Sequence, residues 1–128
     1  ISGKLDKLFV FGDDYDTKDG TGERDYIHVV DLAEAHVRAL SYTNDKTIND
    51  FINIGTGMSI SVMEIINTFK KELGINIKYE VSDRRRGDLP QYFSKSEKAS
   101  ELLNWKSKKS LIDMCADSLK WQQSYTKL

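Results

Sequence analysis

The sequence predicts an α/β protein in which short mixed strands alternate with packed helices. Short apolar or β-branched runs alternate along the 128 residues with stretches whose apolar residues recur at helical spacing. Glycines and polar clusters separate these runs, and no apolar run is long enough to span a bilayer. We therefore expect one domain, residues 1–128, around one hydrophobic core.

The first thirty residues are predicted to hold two strands separated by a loop. Leu8 to Phe11 is an apolar run that ends at Gly12, a pattern typical of a short strand. The polar, turn-rich stretch that follows predicts a loop. The alternating, β-rich segment from Tyr26 to Val30 predicts the second strand.

A helix is predicted from Asp31 to about Tyr42. Asp31 is followed three residues later by Glu34, which is the spacing of an N-terminal capping pair, and alanines follow. Glu34 and Arg38 lie one helical turn apart, so we expect them to form an ion pair on the exposed face.

The rest of the chain is predicted to alternate strands and helices. An apolar stripe at helical spacing, from Val62 to Leu73, predicts an amphipathic helix that ends at Gly74. The other predicted segments are strands at 51–54 and 77–81, a loop at 83–90, and helices at 96–103 and 110–125.

The segment Gly55-Thr56-Gly57, after the predicted strand, is similar to a dinucleotide-binding loop. However, Ile60 stands where that loop needs its third small residue, and no acidic residue is convincingly placed for the ribose. Ser61 and Glu64 also form a capping box that uses the first free N–H groups of the helix. We interpret this segment as a structural turn.

Composition restricts the classes of partner. Nineteen Lys and Arg nearly balance 20 Asp and Glu, which argues against a nucleic acid or an anionic membrane as partner. Cys115 is the one cysteine, so no internal disulfide is possible and a cytoplasmic location is expected. The chain starts at Ile1 without methionine, and we expect it to be a piece of a longer protein.

Two stretches, 22–28 and 83–90, concentrate charge that a fold does not require. The planar guanidinium of arginine matches phosphate oxygens, so one arginine from each stretch can close on a diphosphate. Asp88, as an acceptor of hydrogen bonds, suits vicinal ribose hydroxyls. The alternative, a solvated charge run at Arg84 to Arg86, stays open on spacing alone.

The segments LFVFGDDYDTKDGTGERDYIHVVDLAEAH and RRRGDLPQYF resemble the carboxy-terminal part of the UDP-glucose 4-epimerase family, within the extended short-chain dehydrogenases. The resemblance runs from about Leu8 to Gln122, and its most specific phrase is Arg-Asp-Tyr-Ile-His-Val, which begins at Arg24. It implies the α+β-like substrate-binding part of an enzyme that interconverts UDP-glucose and UDP-galactose.

The resemblance also implies a nucleotide site on matching positions. Phe9 and Phe11 match the strand whose main chain meets the uracil. Arg24 and Arg85 match the two arginines on the diphosphate, and Asp88 matches the carboxylate on the ribose.

Two tyrosines complete the implied substrate site. Tyr26 matches a position close to the nucleotide. Tyr92 matches the position that walls the sugar pocket, and its bulk implies a preference for glucose and galactose over their N-acetyl forms.

The family binds NAD on an amino-terminal Rossmann half, which we expect this chain to lack. We therefore expect no catalytic and no cofactor-binding residue here, and no activity of the chain alone. The spacing of Tyr42 and Lys46 imitates the family's catalytic Tyr-x-x-x-Lys, but we interpret the match as coincidence. The resemblance also implies that the full-length protein forms a homodimer.

Three functions remain as hypotheses. The first is the UDP-hexose-binding part of a UDP-glucose 4-epimerase or of another NAD-dependent sugar-nucleotide epimerase or dehydratase. The second is a non-catalytic nucleotide-sugar-binding module. The third is an unrelated oxidoreductase that binds NAD at the glycine segment.

No metal site is expected. The acidic loop at 13–19 departs from a calcium loop, because Lys18 and Asp19 occupy positions that need a ligand and a glycine. His28 and His36 have no nearby cysteine and form no repeated set with carboxylates.

The remaining candidate residues are predicted to have structural roles. We expect His28 to orient its neighbours and His36 to be a packed or boundary residue. Cys115 shares a helical stripe with apolar residues, so it should be buried and inert. Trp105 and Trp121 should pack the terminal helices.

Overall fold

A computed structural model describes residues 5–44 and 49–125. Short strands and four helices alternate over these ranges, which confirms the predicted α/β class. In chain order the elements are β1 (Leu8–Phe11), β2 (Glu23–Arg24), α1 (Val29–Thr43), β3 (Ile60–Ser61), α2 (Val62–Glu72), β4 (Tyr79–Ser82), β5 (Gln91–Tyr92), α3 (Glu97–Leu103) and α4 (Leu111–Tyr125).

The strands form two small sheets. In one, β1 runs parallel to β4 and places Phe11 beside Ser82. In the other the order is β3-β2-β5, with β2 antiparallel to β3 and parallel to β5. The register of β2 and β5 places Arg24 beside Tyr92, so two predicted site residues become neighbours although they are distant in the chain.

Helix α2 begins and ends as predicted. Its first turn has the capping box, in which the Ser61 hydroxyl accepts from the Glu64 N–H and the Glu64 carboxylate accepts from the Ser61 N–H. Ile66 and Phe69 are buried on its inner face. Gly74 follows the helix with φ +67°, the left-handed conformation that glycine adopts without a steric penalty.

The helical core lies where α1 packs against α3. Ala35, Ala99, Leu103 and Trp105 form its buried cluster. The Trp105 indole donates to the main-chain oxygen of Asp31 at 3.1 Å, which satisfies the buried ring nitrogen. Trp105 therefore packs as predicted.

The predicted strand at 26–30 is wrong. The chain turns into α1 at Val29, and His28 is the capping residue because its Nδ1 accepts from the Val30 N–H at 3.0 Å. Asp31 therefore does not cap the helix. It lies buried in the first turn, where its carboxylate accepts from the main-chain N–H groups that precede α4.

The predicted strand at 51–54 is also wrong. Ile52 and Ile54 pack against the helical core instead of pairing with a strand among the described residues. The other predicted elements are confirmed to within about two residues, the usual uncertainty of element ends. Glu34 and Arg38 form the predicted ion pair at 2.8 Å.

Two predictions of packing are wrong. His36 is exposed and its Nδ1 lies 2.8 Å from the Leu32 carbonyl oxygen within α1. Trp121 is 70% exposed and stacks on Tyr125 instead of packing into a core. Both residues lie on helix faces that the described part of the chain leaves uncovered. Cys115 is buried as predicted, and burial raises the pKa of its thiol.

Within the described ranges, no helix combines the length and the apolar character that crossing a bilayer requires. Tyr42 lies in the last turn of α1, and Lys46 lies outside the described residues. The structure therefore does not describe the Tyr-x-x-x-Lys match that we interpreted as coincidence.

Candidate functional site

A cleft of about 420 Å³ opens between β1, α2 and the loop at 83–90. Apolar side chains of α2, including Ile66 and Phe69, form one wall. Six of the seven predicted binding residues line this cleft: Phe9, Phe11, Arg24, Tyr26, Arg85 and Asp88. The fold therefore brings together residues that the sequence separates by more than half of its length.

Arg24 is fixed in place by main-chain acceptors. Its Nη1 donates to the carbonyl oxygen of Glu23 at 2.7 Å and to that of Leu89 at 2.9 Å. The second bond crosses from β2 to the loop at 83–90. Because one edge of the guanidinium is held by the protein, its remaining donors are oriented before any ligand arrives.

Arg85 is held by a carboxylate and a ring. Its Nε and Nη2 each lie 3.0 Å from Oδ2 of Asp88, and the guanidinium lies over the Phe11 ring at 4.8 Å from the centroid. Gly87 has φ +89°, which allows the chain to turn tightly between the two partners. The turn closes with the Asp88 N–H donating to the Arg85 carbonyl oxygen at 3.2 Å.

The two guanidiniums meet at Asp88. Its Oδ1 lies 3.7 Å from Nη2 of Arg24, while Oδ2 faces Arg85. We refer to Arg24 and Arg85 as the arginine pair. The arginine pair therefore faces one cleft and shares one anion, while the Arg85 side chain stays 61% exposed. Arg84 belongs elsewhere, since it pairs with Asp14 and stacks on Tyr15.

Tyr26 lies within electrostatic reach of both arginines. Burial raises the pKa of its phenol, while the positive charges of Arg24 and Arg85 act in the opposite direction. The phenol therefore stays protonated at neutral pH and offers the cleft a neutral hydrogen-bond donor.

Strand β1 presents a free edge to the cleft. It pairs with β4 on one side, and no other described strand pairs with it. Its residues Phe9 and Phe11 line the cleft and remain partly exposed. A strand edge with unused N–H and C=O groups can hydrogen-bond a planar polar ring, and phenyl groups can stack on such a ring.

Tyr92 lies apart from the other predicted residues. It is 65% exposed and lines an adjacent pocket of about 520 Å³, together with Asn53, Phe93 and Lys95. Arg24 lines both this Tyr92 pocket and the cleft. The two cavities therefore share a wall at Arg24.

Asp25 is a site-organising residue that the sequence reasoning missed. Its Oδ1 accepts from the N–H and hydroxyl of Thr56. Its Oδ2 accepts from the Gly57 N–H and from the N–H and hydroxyl of Ser94. Burial opposes ionisation, but the hydrogen bonds from Thr56 and Ser94 hold the pKa of Asp25 below its ordinary value.

The Asp25 carboxylate also explains why the segment Gly55-Thr56-Gly57 begins with a glycine. A Cβ on Gly55 would lie 1.9 Å from the Ser94 hydroxyl and 2.4 Å from Oδ2 of Asp25, so no side chain fits there. The N–H groups of Thr56 and Gly57 point to Asp25 and are not available to a phosphate. The interpretation of this segment as a structural turn is confirmed.

Glu23 is a further carboxylate that the sequence did not indicate, and it is buried. Its Oε2 accepts from the Ser59 hydroxyl and from the Gln91 amide, each at 2.7 Å. These bonds hold the pKa of Glu23 below its ordinary value and tie β2 to its two neighbours. The only sequence signal for Glu23 and Asp25 is their place beside Arg24.

Other predicted functional groups take structural roles. Among the described residues, no three His, Cys, Asp or Glu side chains are grouped so that they can hold a metal ion. Because His28 accepts through Nδ1, its Nε2 carries the proton and faces Oδ2 of Asp117 at 3.2 Å. His28 thus joins the start of α1 to α4, consistent with the predicted orienting role.

Known proteins that are similar to this chain in sequence include UDP-glucose 4-epimerases. The family model described as GDP-mannose 4,6 dehydratase matches residues 1–118. The UDP-glucose 4-epimerase of Bacillus subtilis is 52% identical over 122 residues, which are 95% of this chain and 36% of that protein. The UDP-glucose 4-epimerase of Neisseria meningitidis serogroup B is 44% identical over 120 residues, 94% of this chain and 35% of that protein.

Solved structures of epimerases share the fold. The UDP-glucose 4-epimerase of Stenotrophomonas maltophila, with bound NAD and formylated UDP-arabinopyranose, has a TM-score of 0.91 and 43% identity, covering 98% of this chain and 38% of that one. The enzyme of Bifidobacterium longum, in complex with NAD+ and UDP, has a TM-score of 0.90 and 44% identity, covering 97% and 37%.

This chain spans about a third of the length of the curated relatives it matches. It is similar to UDP-glucose 4-epimerases in sequence and in fold, as the segments around Arg24 and Arg85 predicted. The match over residues 1–118 shows that the chain belongs to the family of the GDP-mannose 4,6-dehydratase model, within which it is similar to the UDP-glucose 4-epimerases.

Proposed function

We propose that this chain is the UDP-hexose-binding part of an enzyme that interconverts UDP-glucose and UDP-galactose by NAD-dependent chemistry at C4. The observation that carries the proposal is the convergence of Arg24 and Arg85 on one cleft, where they share the Asp88 carboxylate. The names of the similar epimerases, and the UDP held by one of them, point to the same class of ligand.

Each part of UDP has a counterpart in the cleft. The arginine pair supplies paired guanidinium donors for the diphosphate. The free edge of β1, with Phe9 and Phe11, supplies hydrogen bonds and stacking for the uracil. Asp88 accepts from the ribose hydroxyls, and Tyr26 donates from the wall of the cleft.

The hexose extends into the Tyr92 pocket under this proposal. A diphosphate bound at Arg24 stands at the boundary of the two cavities, so the sugar attached to it can enter the pocket that Tyr92 lines. Firm binding of the nucleotide, remote from C4, leaves the sugar free to reorient during epimerisation. The bulk of Tyr92 favours glucose and galactose over N-acetyl sugars.

NAD does not fit the glycine turn of this chain, because Asp25 engages its N–H groups and Gly55 has no room for an approaching group. We propose instead that an amino-terminal Rossmann part, outside these 128 residues, binds NAD and carries the catalytic residues. The chain alone is then inactive, and the complete enzyme is a cytoplasmic homodimer.

Calorimetric titration of the purified chain with UDP and, separately, with NAD tests the proposal. We expect saturable heat with UDP and none with NAD. Arg85→Ala should weaken UDP binding by about ten-fold or more, because charged hydrogen bonds to phosphate are lost. Arg86→Ala is the matched control, since Arg86 is the neighbouring arginine and is not among the described residues that line the cleft.

The opposite titration result, heat with NAD and none with UDP, would overturn the proposal. The same preparation, incubated with NAD and UDP-galactose, should yield no UDP-glucose. Turnover by the chain alone would show that the catalytic groups lie within these 128 residues.

A further inference from the structure

The Asp88 carboxylate occupies donors that an anionic ligand needs. Oδ2 lies 3.0 Å from both Nε and Nη2 of Arg85, and Oδ1 lies 3.7 Å from Nη2 of Arg24. Arg24 uses Nη1 for the carbonyl oxygens of Glu23 and Leu89. The carboxylate therefore engages Nε and Nη2 of Arg85 and lies within ion-pair distance of Nη2 of Arg24.

This arrangement lowers the attraction of the site for simple anions. Two guanidiniums and one carboxylate carry one net positive charge, so half of the charge of the arginine pair is already balanced. A diphosphate that enters either displaces the carboxylate or stands beside it, and like charges at such distances repel. The tight turn at Gly87 and the bond from the Asp88 N–H to the Arg85 carbonyl oxygen keep the carboxylate near the guanidinium.

A ligand that carries hydrogen-bond donors can compensate Asp88 for the loss of its contacts with the arginine pair. A carboxylate released by arginine regains stability if hydroxyl groups donate to it, because a buried or half-buried charge without partners is costly. A diphosphate attached to a ribose brings two such hydroxyls. Inorganic pyrophosphate has no such hydroxyl pair, and at neutral pH it can offer only an acidic phosphate proton.

We propose that Asp88 is a selectivity residue: it makes the arginine pair reject free pyrophosphate and similar small polyanions while accepting diphosphates whose attached group donates hydrogen bonds to the carboxylate. The proposal rests on the proposed function of the cleft. It assigns to Asp88 a role against competing anions, in addition to its contact with the ribose.

The role of Asp88 in ligand selectivity can be tested separately from a role in holding the two arginines in place. Arg24 is held by two carbonyl oxygens, and Arg85 also lies over the Phe11 ring. Both guanidiniums therefore remain in the cleft when the charge of Asp88 is removed. Asp88→Asn keeps the shape of the side chain and frees donors for an anion.

The test compares Asp88→Asn with Asp83→Asn by calorimetric titration at one pH and one ionic strength, without divalent cations. Asp83 lies in the same loop and is not among the described cleft residues, so its substitution controls for the change in net charge. We expect Asp88→Asn to bind inorganic pyrophosphate about three- to ten-fold more tightly than Asp83→Asn and UDP about three- to ten-fold less tightly.

The opposite directions of these effects make the test decisive, because general damage to the loop weakens both ligands. The proposal is overturned if Asp88→Asn binds pyrophosphate no more tightly than Asp83→Asn, or if UDP gains as much affinity as pyrophosphate. Failure of the unsubstituted chain to bind UDP is a separate result, which overturns the proposed function whatever the pyrophosphate comparison gives.

Discussion

Arg24 and Tyr92 lie side by side in neighbouring parallel strands, and each faces a cavity that Arg24 helps to line. A two-residue pairing of β2 with β5 thus joins the predicted diphosphate site to the predicted sugar pocket. The strands are too short to be stable by themselves, so their register depends on side chains around them. The carboxylates on either side of Arg24, from the buried Glu23 and the half-buried Asp25, provide that support.

Asp25→Asn should destabilise the fold and weaken the site. An amide in place of the carboxylate directs its NH₂ group toward donors from Thr56, Gly57 or Ser94, so charged hydrogen bonds are lost. We expect a loss of about 2–3 kcal/mol in the free energy of unfolding. Urea denaturation checks this, with Asp83→Asn as a control that changes stability by less than about 0.5 kcal/mol.

Stability should fall in acid, partly through the same carboxylates. The folded-state pKa of Glu23 is lowered by bonds from Ser59 and Gln91, and that of Asp25 is lowered by bonds from Thr56 and Ser94 despite burial. A lowered folded pKa contributes stability above the unfolded values, 4.5 for Glu23 and 3.8 for Asp25, which is lost as the pH falls through the folded values.

Denaturation midpoints of the unsubstituted chain and of Asp25→Asn, from neutral pH down to about pH 3, measure this contribution. The two curves should approach each other as the pH falls, because protonation removes the charge that the substitution also removes. Curves that stay parallel would show that the pKa of Asp25 is the same in the folded and unfolded states, and would contradict the prediction.

His28→Ala should destabilise α1 by about 1–2 kcal/mol through loss of its N-cap. His28 is buried, accepts from the Val30 N–H and faces Asp117 of α4. His28→Asn restores a capping acceptor and should recover part of the loss. His36→Ala, at an exposed position of the same helix, is the control, and thermal unfolding is the measurement. Equal effects at the two histidines would contradict the capping role.

Tyr92→Ser should change sugar preference with little effect on the nucleotide. Because Tyr92 lines the pocket next to the cleft and is largely exposed, we expect its truncation to enlarge the proposed sugar pocket without displacing the arginine pair. We expect the affinity for UDP to change by less than about two-fold, while UDP-N-acetylglucosamine gains relative to UDP-glucose. Competition titrations of the three ligands provide the ratio. A fall in affinity for all three by one factor would argue against a role in the sugar pocket.

Elements with local signals could be predicted from the sequence. Helix α2 has its capping box and its apolar stripe within one segment, and β1 is one apolar run that ends at a glycine. The charged stretches contain four of the predicted residues that the fold gathers in one cleft, and the family resemblance supplied the other two, Phe9 and Phe11.

Elements that depend on distant partners could not be predicted. The two-residue strand at Glu23 and Arg24 forms because Ser61 and Gln91 lie opposite Glu23 in the folded chain. Asp31 has the spacing of a capping residue, but N–H groups of Lys108 and Lys109 engage its carboxylate, and His28 caps the helix instead. No local pattern reports either arrangement.

The central claim is that Arg24 and Arg85 bind one pair of linked phosphates, and comparison of UDP with uridine measures it most directly. Affinities for both ligands should be determined by calorimetry or competition for the unsubstituted chain, Arg24→Ala, Arg85→Ala and the double variant. We predict that each single substitution weakens UDP binding by about ten-fold or more, that the two effects are not additive, and that uridine affinity stays within about two-fold. Equal losses for UDP and uridine, or no loss for UDP, would contradict the claim.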